Sequence, residues 1–167
     1  RFGSTEAVTQ ARTRLRLAPA RRPEPRRVTQ ENLRSMLQPA AMDPLAIPAP
    51  SPEQLDTLFA HFAPEFDIGV QSDDDRPGAL VWPSGRSTLA RNGPPRVDSR
   101  QPVVYHHIAY TRYGDQTLLQ LVYTLWFAAR PISMQPIDLL AGRLDGLVWR
   151  VTLSPDGQPL VYDSIHP

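Results

Sequence analysis

The chain has 167 residues, enough for one domain with a sizeable core, and a formal net charge of +1. All 18 of its basic residues are arginine, and cysteine is absent. These absences exclude lysine Schiff-base and pyridoxal phosphate chemistry, a Walker A loop, disulfides, thiol nucleophiles and cysteine metal sites. Arginine without lysine is expected of GC-rich codons, which points to a high-GC bacterial source. No run of about 20 apolar residues occurs, so no transmembrane helix is predicted. The first residue is Arg1, which reads as the start of a processed or trimmed chain.

Residues 1–27 hold eight arginines against Glu6 and Glu24, so this stretch is +6 and the remainder −5. Arg12, Arg14, Arg16, Arg21, Arg22, Arg26 and Arg27 are the candidate binding residues. A protein partner is expected for this arm. Nucleic acid is disfavoured, because Phe2 is the arm's one aromatic and supplies no stacking ladder. A solvated tail is the plain alternative.

A short helix is predicted over residues 4–17, stopped by Pro19, Pro23 and Pro25. Thr29 caps a second one that runs to about Leu37. Residues 38–50 carry four prolines and read as a linker or surface strap. The predicted division is therefore an Arg/Pro-rich arm and linker over 1–50 and an α+β domain over 51–167.

Ser51-Pro52-Glu53-Gln54 is a strong helix start: serine caps, proline suits the first position, and Gln54 reaches back. Leu55, Leu58, Phe59 and Phe62 then form one apolar stripe. Pro64 ends that helix. Short strands are predicted over Phe66–Val70 and Ala79–Trp82. Asp73-Asp74-Asp75 lies between them and reads as a solvated turn, because it lacks the alternating ligands and central glycine of a calcium loop. A Gly/Pro/Ser-rich loop follows to Arg100.

Two hairpins make up the last third. In the first, Gly114-Asp115 sets a two-residue turn that places Tyr110 opposite Leu119, Ile108 opposite Leu121, His106 opposite Tyr123 and Val104 opposite Leu125. Those residues form a core face. In the second, Pro155-Asp156-Gly157 is the turn, which places Trp149 opposite Asp163 and Leu147 opposite Ile165. Between the hairpins, Asp138–Gly142 reads as one helical turn with a glycine stop. The fold class is α+β: an antiparallel sheet of four or more strands, a short amphipathic helix and the N-terminal arm.

The segment Leu144–Leu153, with Tyr162-Asp163-Ser164-Ile165-His166-Pro167, Tyr110-Thr111-Arg112 and Trp126-Phe127, resembles a family of uncharacterised bacterial proteins. The resemblance covers about residues 102–167. It implies no activity, and it implies a cysteine- and histidine-containing stretch beyond Pro167.

His106 faces the predicted core beside Tyr123 and reads as a hydrogen-bonded core histidine. The candidate catalytic residues are His107, Asp163 and His166. Asp163 and His166 meet only if the chain bends after Ile165, which Pro167 encourages. Asp145 is a further partner for His166. No cofactor is expected, although His107 or His166 with Asp163 or Asp145 offers donors for a metal. Ser164 lacks the Gly-x-Ser-x-Gly elbow of a nucleophile. The sequence therefore points to a non-catalytic binding or structural module, part of a larger chain or assembly. A metal-dependent or other hydrolase, with its site at the end of the last strand, is the alternative.

Overall fold

A computed structural model describes residues 13–17, 28–40, 43–82, 95–128 and 144–166. The fold is α+β and rich in strand. Its centre is a four-stranded antiparallel sheet in the order β5-β6-β7-β8, formed by β5 (Tyr105–Tyr113), β6 (Gln116–Phe127), β7 (Asp145–Leu153) and β8 (Pro159–Ile165). Two small antiparallel pairs accompany it. One joins β1 (Thr13–Leu17) to β2 (Phe66–Val70), the other β3 (Ala79–Val81) to β4 (Arg96–Asp98). The helices are α1 (Gln30–Met36) and α2 (Pro52–His61).

Both helices begin as their sequences dictate. Thr29 caps α1 and Ser51 caps α2, each in a reciprocal box with the side chain three residues on. Pro52 opens α2, where its missing N–H leaves no bond unmade. The stripe of α2 buries Leu58 and Phe59 and half-buries Leu55 and Phe62. These side chains meet Leu119, Leu121, Tyr123 and Leu125 of β6 and Val151 and Leu153 of β7. Each large apolar side chain so buried stabilises the fold by about 1.5–3 kcal/mol. The Tyr123 hydroxyl, buried among them, donates to the Phe59 carbonyl at 2.9 Å and ties α2 to the sheet centre.

The stretch read as arm and linker also supplies core. Leu33 and Leu37 are buried, and Leu17 and Val28 pack against the same cluster. The helix expected over 4–17 is corrected for its last five residues: Thr13–Leu17 is a strand, with Leu15 opposite Ile68 and Leu17 opposite Phe66. Thr13, Leu15 and Leu17 alternate with Arg14 and Arg16, which is strand periodicity. The rest of that helix lies outside the described residues, as does the turn expected at Asp138–Gly142.

The first hairpin has the register that its turn dictates, with His106 opposite Tyr123 and Ile108 opposite Leu121. Gly114 adopts φ +58° in that turn. The second hairpin is shifted by one residue from the expected register. Trp149 faces Ser164 and Arg150 faces Asp163, because an irregularity between Thr152 and Leu153 carries the pairing from Pro159 to Val161 past Leu160. Such a bulge moves every later pair by one. Gly157 takes φ +79° at the turn and lies against Leu33 of α1, where a Cβ would meet the Leu33 Cβ at 2.5 Å.

β4 falls in the stretch read as loop. It pairs with β3 through Leu80 opposite Val97. The Leu80 amide donates to the Tyr105 hydroxyl at 2.8 Å, and the Gly78 amide donates to the Trp126 carbonyl at 2.9 Å. These bonds fasten the β3–β4 pair to the end of the large sheet.

Candidate functional site

The sheet register distributes the candidate catalytic residues. His107 of β5 faces Val122, Val122 faces Arg150, and Arg150 faces Asp163 of β8. The four share one row and one face, but β5 and β8 are opposite edges of the sheet. Three strand spacings, roughly 14 Å, separate the His107 and Asp163 backbones. Asp163 is already engaged: its Oδ1 accepts from Arg150 Nε at 2.8 Å and pairs with Nη2 at 2.7 Å. His166 is exposed just beyond β8. Ile165 pairs with Val148, so His166 lies level with Leu147, and Asp145 is two residues further along β7. The Asp145 carboxylate accepts from the Gly146 amide at 2.8 Å. Among the described residues, no three His, Asp or Glu side chains are grouped to hold a metal ion.

His106 corrects its expectation. It sits opposite Tyr123 but is exposed, because β5 is an edge strand. Its ring lies 4.3 Å from that of Phe59, while the Tyr123 hydroxyl is spent on the Phe59 carbonyl. Burial pushes the Tyr123 phenol above the ordinary tyrosine range, so this hydroxyl is a structural donor and no base.

Of the arginines proposed for binding, Arg12, Arg21, Arg22, Arg26 and Arg27 lie outside the described residues. Arg14 is placed on β1 opposite Gly69. Arg16 lies 3.8 Å from Glu65, with both side chains exposed. The acidic run is turned on its own backbone. Asp75 accepts from the Gln71 and Ser72 amides, both at 2.8 Å, and these bonds hold its carboxyl below the usual range.

A cleft of about 230 Å³ opens at the turn end of the sheet, between Leu37, Pro39 and Pro48 on one side and Asp115, Thr117 and Pro155 on the other. The strap over it is held by Tyr110 Oη to the Pro48 carbonyl at 3.1 Å and Thr117 Oγ1 to the Leu45 carbonyl at 3.0 Å. Among the described residues Asp115 is the one ionisable side chain in its lining.

Sequence reasoning missed the outer edge of β8. Leu160, Val161, Tyr162 and Ile165 are 52%, 50%, 53% and 42% exposed. Among the described residues β8 pairs with β7 alone, so one side of its backbone ladder is unused. Natural edges are blunted by outward charges, prolines or bulges. Here Pro159 and the irregularity at Leu160 guard only the start of the strand. The one charged side chain, Asp163, is neutralised by Arg150. The signal was present in the unbroken run Leu160-Val161-Tyr162, which leaves apolar groups on both faces of the last strand.

Comparisons with protein-family models, with curated proteins and with solved structures found no match.

Proposed function

We propose that this chain is a non-catalytic binding module that takes an extended protein segment onto the outer edge of β8. The observation that carries this reading is the outer edge of Val161–Ile165, which pairs with no strand among the described residues and has apolar side chains exposed on both faces. An added strand satisfies the free amides and carbonyls, and alternate side chains on each face supply specificity. The rigid sheet behind it supports the reading. β7 is held between β6 and β8, and its inward face is anchored by Val151 and Leu153 in the core.

The reading places recognition on β8 and not on the basic arm. The hydrolase alternative is not adopted, since His107 and Asp163 lie on opposite edges and Asp163 is held by Arg150.

The test is fluorescence anisotropy with labelled neutral peptides of alternating Val, Tyr and Thr. Saturable binding is expected to the native chain. It is expected to be lost in Val161→Lys, which places a charge on the edge. Absence of binding to any extended peptide, with the native fold intact, would end the reading.

A further inference from the structure

Resting on the edge-binding reading, we propose that the segment bound at β8 is β8 of a second copy of this chain, paired antiparallel about a two-fold axis at Tyr162. Two such copies would join their sheets into one of eight strands.

The residues of the edge select this partner. Side chains directly opposite in an antiparallel pair share a face, so a two-fold pairing of β8 must centre on one residue. Centring on Asp163 would set the edge's one carboxylate against its own copy, and like charges directly opposite are unfavourable. Centring on Tyr162 places Asp163 opposite Val161 of the second copy and stacks Tyr162 on its counterpart. Tyr162 already lies 5.8 Å from Trp149 of β7, their rings inclined by 30°. The pairing therefore continues an aromatic row, from Trp149 through both tyrosines to the second Trp149, on one face. Aromatic pairs across strands are among the favourable ones. Charge agrees with this choice. Asp163 is neutralised within its own chain, so the edge presents neither an excess of positive nor of negative charge to attract a highly charged peptide. A neutral, apolar, β-prone segment is its best complement, and β8 itself has that composition. The contact is a single strand pair, which belongs among small, reversible interfaces.

The absence of cysteine permits a direct test. Opposed Cα atoms in an antiparallel pair lie about 4.5–5.5 Å apart, within disulfide reach. Under mild oxidation, Tyr162→Cys is expected to give a covalent dimer. Ser164→Cys is expected to give none, its two copies being separated by four residue steps, roughly 13 Å along the strand. In light scattering, the native chain is expected to approach twice the monomer mass as concentration rises. Val161→Glu, which sets a carboxylate directly opposite Asp163 of the second copy, is expected to shift that transition to about tenfold higher concentration or beyond. A native chain that stays monomeric, with no Tyr162→Cys dimer, overturns the proposal. So does a dimer that Tyr162→Cys fails to trap. Should the extended peptides still bind such a monomer and fail on Val161→Lys, the edge-binding reading survives and its partner is a different protein.

Discussion

Arg150 and Asp163 face each other across the last hairpin, with Nη2 2.7 Å from Oδ1. Both side chains are about one-third exposed, at 33% and 30%. This contact commits the aspartate of the last strand to a structural pair and leaves β8 without a free charge along its edge.

A pair so exposed contributes modestly. Arg150→Ala is expected to cost about 0.5–1 kcal/mol in urea unfolding, with the loss reduced at high salt. A cost of several kcal/mol would mean that the pair is buried by something else, and the open-edge account would be wrong.

Leu121 is fully buried at the sheet centre, between Ile108 and Val151. Leu121→Ala is expected to cost about 2–5 kcal/mol. The neighbouring Gln120 points to the other face and donates to Thr152 Oγ1 at 3.0 Å. Gln120→Ala is expected to cost about 1 kcal/mol. Equal effects in chemical denaturation would show that the two faces of β6 have been exchanged.

The hairpins show how far the sequence was legible. Gly114-Asp115 permits one tight turn, and that turn fixed every pair from Tyr110–Leu119 to His106–Tyr123. The capping boxes at Thr29 and Ser51 were equally local, hence readable. The second register failed because no residue type announces the irregularity beside Leu160. β1 was missed because its partner, β2, lies some fifty residues away in sequence, and a strand of five residues gains its definition from that partner. Candidate site residues fared worst. His107 and Asp163 do share a face and a row, but sequence alone did not reveal that two strands stand between them.

Gly157 and Gly114 offer a matched pair. Both have positive φ, but only Gly157 is backed by Leu33, while nothing lies within 4 Å of a Cβ at Gly114. Gly114→Ala is expected to cost about 1–2 kcal/mol, the strain of a left-handed alanine. Gly157→Ala is expected to cost more, since α1 must move as well. Thermal unfolding of the two variants compares them, and equal losses would contradict the contact with α1.

Tyr123 links stability to alkaline pH. Its phenol is held neutral by burial, with its folded pKa raised above the unfolded value of about 10. Below pH 10 both states keep the proton and the contribution is fully present. As pH rises above 10, the unfolded chain ionises first, so stability falls. Tyr123→Phe is expected to lower stability by about 1 kcal/mol at neutral pH, through loss of the bond to the Phe59 carbonyl. It is also expected to flatten the alkaline decline. An unchanged slope between pH 10 and 11 would show that the phenol is solvated.

Amide hydrogen exchange in dilute native protein tests the central claim most directly. Over Gln120–Thr124 β6 is bonded on both sides by β5 and β7, whereas β8, among the described residues, is bonded on one. The account predicts slow exchange throughout Gln120–Thr124. Within Val161–Ile165 it predicts alternation between slow amides that face β7 and fast ones that face outward, the fast set slowing when an extended segment is added. Uniform, β6-like protection of Val161–Ile165 in dilute solution would contradict it, because the edge would then already be covered.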